Sequence, residues 1–305
     1  MHVSNCCCWI VVASMALGLL SNAAIAQTSP VAPGAKPEKV SSDYLFTEGP
    51  AADKEGNVYF TDQPNDRIVK WSAADGKFSD FRKPCGRSNG LCFDKEGNLI
   101  ACADEKNELW SIDVATKKAT VLVKDFKGKL LNGPNDVWLR EDGGLYFTDP
   151  YYKRDYWNRG PVEQAGEHVY YLSPDHKTLT PVVTDLKQPN GIIGTPDGKT
   201  LYVADIADKK TYSYTINADG SLTDKKLFCN LGSDGMTIDD QGNLYLTGKG
   251  VTVFDKTGKQ IAHVDINEPW TANVCFAGKD RDILFITASK AVYTLKMATK
   301  GAGSQ

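Results

Sequence analysis

The chain has 305 residues, of which 41% are hydrophobic and 24% charged, and its formal net charge is −3. This composition is typical of a soluble globular protein with one large domain or two ordinary ones. No basic block or stripe of Lys and Arg occurs, so neither a nucleic acid nor an anionic membrane is expected as a partner.

The first 26 residues predict an export signal. Residues 8–20 are apolar, and residues 24–26 (Ala-Ile-Ala) form a small-residue cleavage site before Gln27. We therefore expect a periplasmic or secreted protein that does not contact the membrane once residues 1–26 are removed. No Lys or Arg precedes the apolar run, which leaves a membrane anchor as the alternative, although the run is short for a ~20-residue span.

The remainder of the chain divides into three parts by composition. Residues 27–42 are rich in Pro, Ser and Ala and predict a disordered leader. Residues 43–297 show no change in composition and no amphipathic helix pattern, which indicates one all-β domain. Residues 298–305 predict a loose tail. The sequence does not indicate an oligomeric state.

A motif repeats six times along the domain. Each copy consists of a short apolar run, a turn that contains Gly or Asp, and an alternating strand, and copies follow one another at intervals of 39 to 55 residues. Repeats of about 40 residues, each long enough for three or four strands, predict a six-bladed β-propeller. The copies begin at Glu48, Asn89, Asn135, Asn190, Asp234 and Asn273.

Each repeat contains a further β-type stretch after the motif. The last repeat has no fourth strand after Leu295, so we expect Lys39–Phe46 to supply it and close the ring. The further stretches are Arg67–Trp71, Glu108–Ile112, His168–Leu172, Thr211–Ile216, Val251–Phe254 and Ala291–Leu295.

The first residue of every copy is a carboxylate or a carboxamide. Because the innermost strand of each blade lines the central channel, rotation brings these six side chains together at one mouth. Six side-chain oxygens without His or Cys predict a central-channel metal site for a hard cation such as Ca²⁺. Glu48 and Asp234 would match the charge of a divalent ion. Alternatively, these residues only turn the chain before each strand.

Five cysteines lie outside the predicted signal. Their number is odd and no metal-binding spacing occurs among them, so buried free thiols are expected. Cys92 and Cys102 flank one hairpin, which leaves a disulfide between them as an alternative.

Several segments resemble the gluconolactonase/regucalcin-like (senescence-marker-protein) family. The match covers roughly residues 43–297 and is most similar to the bacterial gluconolactonase branch. It is carried by LFTEGPAAD, LNGPNDVWLREDGGLYFTDPYY, QPNGIIGTPDGKTLYVAD and SDGMTIDDQGNLYLTG.

This resemblance implies a six-bladed propeller that hydrolyses a sugar lactone with one catalytic divalent cation. Ca²⁺ is the usual ion in the family, with Mg²⁺, Mn²⁺ or Zn²⁺ as substitutes. The implied metal ligands are Glu48, Asn135, Asn190 and Asp234. The residues expected to contact substrate are Asn89, Asn273, Asn132, Tyr151 and Tyr152.

A mechanism follows from the implied cation. The cation would polarise the lactone carbonyl, and Asp234 would act as general base, or as nucleophile, as is argued for the phosphatase members of the family. No G-x-S-x-G elbow occurs, and His168, His176 and His263 are assigned to surface or strand packing.

Substrate choice is expected to depend on loops. Residues 151–166 (YYKRDYWNRGPVEQAG) form the longest insertion and predict a lid. Gly133 stands where regucalcin has an Arg that grips sugar hydroxyls, so sugar recognition of that kind is not expected. Two alternatives stay open: a non-catalytic calcium-stabilised propeller that binds a ligand or partner, and a hydrolase of other esters or organophosphates.

Overall fold

The computed structural model describes residues 1–2 and 29–303. This part of the chain forms 24 β-strands and two short 3-10 helices, and it contains no α-helix. The strands make six four-stranded antiparallel sheets. The predicted six-bladed β-propeller is confirmed.

The first three blades follow one another along the chain, each as a meander whose first strand is innermost. Blade 1 comprises β2 to β5: Thr47–Ala52, Val58–Asp62, Arg67–Trp71 and Phe78–Arg82. Blade 2 comprises β6 to β9: Ser88–Phe93, Leu99–Ala103, Glu108–Ile112 and Ala119–Val123. Blade 3 comprises β10 to β13: Val137–Leu139, Leu145–Asp149, His168–Leu172 and Leu179–Val183. The 3-10 helices are Gln63–Asn65 and Asp104–Lys106.

The last three blades repeat this order, and the sixth borrows a strand from the start of the chain. Blade 4 comprises β14 to β17: Pro189–Gly194, Thr200–Asp205, Lys210–Ile216 and Leu222–Cys229. Blade 5 comprises β18 to β21: Met236–Ile238, Leu244–Gly248, Gly250–Phe254 and Gln260–Val264. Blade 6 comprises β22 to β24 and β1: Asn273–Ala277, Ile283–Ala288, Ala291–Lys296 and Glu38–Ser41.

The ring closes where β1 pairs with β24, with Glu38 opposite Thr294. The prediction that residues near the start of the domain complete the last blade is confirmed, although the strand begins one residue earlier than expected and ends at Ser41. Beyond it, Tyr44 is buried and meets Phe60 edge-on at 5.2 Å between ring centroids.

Within the described residues, the leader and the tail contact each other. The N–H of Ala298 donates to the Pro30 carbonyl at 2.8 Å, and Val31 forms a bridge with Met297. Val31 and Ala35 also pack on the apolar core of the last two blades, and Ala302 is buried in another part of the core. The disorder predicted for residues 27–42 and the looseness predicted for residues 298–305 stay predictions.

A side-chain clamp forms the turn in three of the repeats. In blade 1, Asp53 accepts the N–H of Asn57 at 2.9 Å and its side-chain amide at 2.9 Å. Gly56 between them has φ +82°, and a Cβ there would lie 2.3 Å from the Gly278 carbonyl carbon, so glycine is required. The same Asp–Asn pair recurs as Asp94 with Asn98 and as Asp239 with Asn243.

The core lies mainly between adjacent blades. Phe60 of blade 1 meets Phe285 of blade 6 at 5.6 Å between ring centroids. Trp138 of blade 3 fills the space beside Gly194 of blade 4, where a Cβ would lie 2.2 Å from the indole ring. Aromatic pairs of this kind each contribute about 0.5–1.5 kcal/mol beyond their buried area.

The five cysteines in the described part are all buried free thiols, as expected, and Cys92 and Cys102 are not joined. Almost all of the predicted export signal lies outside the described residues, so it stays a prediction. Within the described residues, no helix has the length and apolarity needed to cross a membrane.

Candidate active site at the channel mouth

The six repeat positions lie where the innermost strands begin. Five of them are 1–5% exposed, and the sixth, Asp234, is partly buried. Asn135 and Asp234 each come two residues before their strand, while the other four lie within β2, β6, β14 and β22.

A cavity of about 220 Å³ opens at this mouth. Four repeat positions line it, together with apolar side chains and the first part of the long insertion of residues 151–166. The polar side chains in this lining include those of Glu48, Asn89, Asn135, Asp234, Tyr152 and Arg154.

Asp234 is held by two donors. Its Oδ2 accepts the indole N–H of Trp270 at 2.6 Å, and its Oδ1 accepts the Asn190 amide at 2.9 Å. The same Asn190 amide donates to the Tyr152 hydroxyl at 2.8 Å. The carboxylate orientation is therefore set from two sides.

Burial raises the pKa of both carboxyl groups at the mouth. For Asp234 burial raises the pKa to about 6, although the hydrogen bonds from Trp270 and Asn190 and the charge of Arg154 oppose the shift. Burial and then the nearby Asp234 charge raise the pKa of Glu48 well above its ordinary value, against the Gly49 N–H, which donates to Glu48 Oε2 at 2.8 Å. When both groups are ionised, the negative charges of Glu48 and Asp234 repel each other, and a cation bound near them would relieve this repulsion.

The donor set suits a hard divalent cation. The Oδ1 atom of Asn190 is buried and has no hydrogen-bond partner among the described residues, while its amide nitrogen serves two acceptors. No His or Cys is among the described residues that line the cavity. In the described part of the chain no three His, Cys, Asp or Glu side chains are grouped to hold a metal, so this site combines two carboxylates with carboxamides.

A second polar pair lies deeper in the channel. Asn273 and Asp136 line a narrower cavity below the mouth, and the Asn273 side chain hydrogen-bonds to the carboxyl groups of both Glu48 and Asp136. Burial raises the pKa of Asp136 to about 7, despite the N–H of Val137 at 3.1 Å and the Asn273 amide. Asn273 is thus placed beneath the mouth cavity rather than in its lining.

The predicted substrate contacts divide into two groups. Asn89 and Tyr152 line the mouth cavity. Asn132 is fully buried away from the cavity, and its amide donates to the carbonyls of Asp149 and Gly166 at 3.1 and 3.0 Å. Tyr151 packs against the ring of Trp157 and is outside the lining.

Five lining residues were not predicted: Phe46, Gln63, Arg154, Ile206 and Trp270. The repeat contained a signal for two of them, because Gln63 and Ile206 directly follow Asp62 and Asp205, which end the second strands of blades 1 and 4. Trp270 precedes the sixth copy in a loop without periodicity, so no pattern marks it.

Comparison with known proteins agrees with this geometry. Residues 46–290 match the family described as the SMP-30/Gluconolactonase/LRE-like region. The chain belongs to this family.

Relatives in the SMP-30/Gluconolactonase/LRE-like family include a gluconolactonase from Zymomonas mobilis, which is 30% identical over 87% of this chain and 82% of its own length. A solved gluconolactonase from Xanthomonas campestris is 28% identical, covers 88% of this chain and 91% of its own, and has a TM-score of 0.82. A calcium-binding regucalcin from Agrobacterium tumefaciens shares the fold at 21% identity and a TM-score of 0.74, with 86% and 94% of the chains covered.

The histidines of this family member lie away from the mouth. His168 lies in β12, and burial lowers its pKa. His263 lies in β21, where its Nδ1 is 2.9 Å from the Thr252 hydroxyl, and His176 occupies a hairpin turn. None of the three is among the residues that line the mouth cavity.

Proposed function

We propose that the protein is a divalent-cation-dependent lactonase, with Ca²⁺ as its ion and a sugar lactone as its substrate. The observation that carries the proposal is the buried Oδ1 of Asn190, which has no hydrogen-bond partner in the described part of the chain and belongs to a side chain that donates to Asp234; Asp234 and Glu48 both line the mouth cavity. The gluconolactonase relatives support the choice of reaction.

Glu48, Asn135, Asn190 and Asp234 would hold the cation through their side-chain oxygens. When bound, a divalent cation supplies Lewis-acid polarisation of the lactone carbonyl. The two carboxylates match its charge, and the amides of Asn135 and Asn190 add ligands without adding charge. The calcium-binding regucalcin neighbour supports Ca²⁺ as the ion.

Asp234 would take the proton from the attacking water. Its Oδ2 accepts the Trp270 N–H and its Oδ1 accepts the Asn190 amide, and we assign the proton to the remaining lone pair of Oδ1, on the side of the proposed ligand Asn190. With a pKa of about 6, the group is mostly ionised at neutral pH and is therefore competent as a base. Direct attack by Oδ1 on the carbonyl carbon is the alternative for the same atom.

The deciding experiment assays the chelator-treated protein with and without Ca²⁺. Aldonolactones, aliphatic lactones and phosphotriesters are offered, and calorimetry measures the metal stoichiometry. We expect about one tight site, a stabilisation of about 2.7 kcal/mol at 100 times Kd, and lactone hydrolysis that chelator abolishes. A preference for phosphotriesters would favour the hypothesis that the protein hydrolyses organophosphates. Calcium binding without turnover of any substrate would favour a non-catalytic, calcium-stabilised propeller.

A further inference from the structure

Three aspartates at equivalent positions of the repeat each hold a loop by accepting hydrogen bonds from its backbone. Asp62, Asp149 and Asp205 end the second strands of blades 1, 3 and 4. Each accepts two backbone N–H groups from the loop that enters its own blade. The donors are Leu45 and Phe46 for Asp62, Asn132 and Gly133 for Asp149, and Lys187 and Gln188 for Asp205.

In blade 2 the strand-end position is taken by Ala103, and Asp104 lies one residue later. The N–H groups of the loop that enters this blade, from Cys85 and Arg87, are accepted by Asp66 Oδ1 at 2.9 and 2.8 Å. The Asp104 carboxylate, in a residue only 3% exposed, has other partners.

One partner is Gln63, whose side-chain amide donates to Asp104 Oδ2 at 3.1 Å, and the others come from the long insertion of residues 151–166. Asp104 Oδ2 accepts Arg154 Nε at 3.0 Å and also the hydroxyl of Tyr156. The Asp104 carbonyl accepts the indole N–H of Trp157 at 2.8 Å. Gly133 leaves the necessary space, since a Cβ there would lie 2.6 Å from Asp104 Oδ1 and 3.0 Å from the Trp157 ring.

This anchor places Arg154 at the mouth. Its guanidinium lies 5.2 Å from the centroid of the Tyr152 ring, and the residue lines the cavity with Glu48 and Asp234. Only its Nε is bound to protein among residues 29–303, so both Nη groups are free to donate.

We propose that Arg154 selects the substrate by donating from its Nη groups to ring hydroxyls of a neutral, polyhydroxylated lactone, and that Asp104 is its positioning residue. The inference rests on the proposed lactonase function. The planar guanidinium presents paired donors in a fixed fork, which suits two adjacent hydroxyl oxygens.

Charge balance favours a neutral substrate over an anionic one. A divalent cation would match Glu48 and Asp234, and Arg154 is already paired with the buried carboxylate of Asp104. The mouth therefore has no surplus positive charge for a carboxylate or phosphate on the substrate.

Arg154→Met tests the recognition at saturating Ca²⁺. We expect kcat/KM for D-glucono-δ-lactone to fall about 10- to 100-fold, mainly through KM, because hydrogen bonds to a charged donor are lost. The value for δ-valerolactone, which has the same ring without hydroxyls, should fall by a smaller factor, because only the loss of the Arg154 charge near Asp234 is common to both substrates. Equal losses on both substrates, or a larger loss on a carboxylate-bearing glucaro lactone, would overturn the proposal.

Arg159→Met is the matched control from the same loop. Arg159 donates from Nη1 to the Leu131 carbonyl at 2.7 Å and does not line the cavity. Its replacement should therefore change kcat/KM for both lactones by the same factor. Loss of the preference for the hydroxylated ring in Arg159→Met but not in Arg154→Met would contradict the assignment.

Asp104→Asn tests the positioning role. The change leaves an acceptor of the same size but removes the charge that holds Arg154, so KM for the gluconolactone should rise about 5- to 20-fold with kcat nearly retained. Asp205→Asn, a buried carboxylate at the end of the second strand of blade 4 that accepts backbone N–H groups, should lower the melting temperature without changing the ratio between the two lactones. The same selective rise in KM in Asp205→Asn would refute a special role for Asp104.

Binding of a ring that cannot be hydrolysed separates this inference from the proposed function. Anhydroglucitol, a cyclic polyol without the ester, should bind the calcium-loaded wild-type protein in a ligand-observed NMR titration and bind Arg154→Met at least fivefold more weakly. If this holds while no lactone is hydrolysed, the lactonase proposal fails and the Arg154 subsite stands. Equal affinity in the two proteins, or no binding by the wild type, overturns the subsite.

Discussion

The two ends of the central channel are built from the same six strands but have opposite chemistry. At the mouth, carboxylates and carboxamides face a cavity, and Asn190 Oδ1 is buried with no hydrogen-bond partner among residues 29–303. Farther along the same strands, the channel narrows between apolar side chains such as Trp138, Ile193 and Met236. Asp136 and Asn273 mark the boundary between the two.

The difference shows that position along a strand decides what a repeat residue does. The repeat positions at or just before the start of each inner strand lie at one end of the channel and are polar in all six copies, whereas residues farther along are enclosed by neighbouring blades and must pack. Under-satisfied polar groups are costly in a packed region, so their concentration at one end indicates binding rather than stability. Substitutions at the two ends should therefore separate activity from stability.

The largest expected effect is at the mouth. Asp234→Asn keeps a side chain of the same size with one oxygen that can accept the Trp270 N–H. It removes the proposed general base and one negative charge. At saturating Ca²⁺ we expect a loss of about 10²- to 10⁴-fold in kcat on a lactone, with little change in melting temperature. Asn89→Ala, in the same lining, should lose less than about tenfold. Near wild-type turnover of Asp234→Asn with metal bound would move the base elsewhere, for example to Glu48.

The converse substitution is at the narrow end. Trp138→Ala removes a buried ring that packs against Gly194 and should lower the free energy of unfolding by about 3–5 kcal/mol, as measured by urea denaturation. Turnover per folded molecule at low temperature should stay within about twofold. A specific loss of kcat in a folded Trp138→Ala protein would show that the two ends are coupled.

A tryptophan at the mouth should respond in the opposite way. Trp270→Phe retains an aromatic ring but removes the N–H that donates to Asp234 Oδ2. We expect kcat to fall about tenfold, on the scale of one hydrogen bond to a charged group, while thermal unfolding shifts by only a few degrees. If stability falls as much as in Trp138→Ala, the contrast between the two ends does not hold.

The smallest expected effect is on the pH dependence of stability, through Asp149, which holds the loop that enters blade 3. Burial raises the pKa of Asp149 to about 7, and the nearby Asp104 charge adds to this, while the N–H groups of Asn132 and Gly133 and the charge of Arg159 oppose it. Since the folded pKa lies above the unfolded one, folding binds a proton, and stability falls as pH rises from about 4 through 7.

Asp149→Asn isolates this contribution, because Asp136, whose pKa is raised in the same direction, is retained. Between pH 5 and 7.5, the free energy of unfolding measured by urea titration should fall by on the order of 1 kcal/mol less in the variant than in the wild type. Identical pH slopes in the two proteins would assign the proton uptake to other groups.

The sequence was sufficient for the parts of the molecule that repeat. The six strand starts and the third strands, such as Glu108–Ile112, followed from periodicity. Outer strands were harder to predict because they face solvent: Leu222–Cys229 is exposed at five consecutive positions and carries no alternation.

Residues outside the repeat depended on tertiary contacts that no local pattern encodes. Arg154 is held at the mouth by Asp104, which lies 50 residues earlier in the chain. Asn132, in contrast, belongs to a recognisable motif, yet it serves the base of the long insertion rather than the cavity.

The closure of the ring by β1 has a consequence for the order of synthesis. Roughly 250 residues separate Ser41 from Ala291, the nearest residue of its partner strand β24. At ~5–20 residues per second, a ribosome needs roughly 10–50 s to make that interval. Throughout this time β1 has no partner strand and blade 6 is incomplete, and Trp270, which lines the mouth cavity, is made only near the end of the interval. The ring and the mouth cavity can therefore be completed only after β24 has been synthesised.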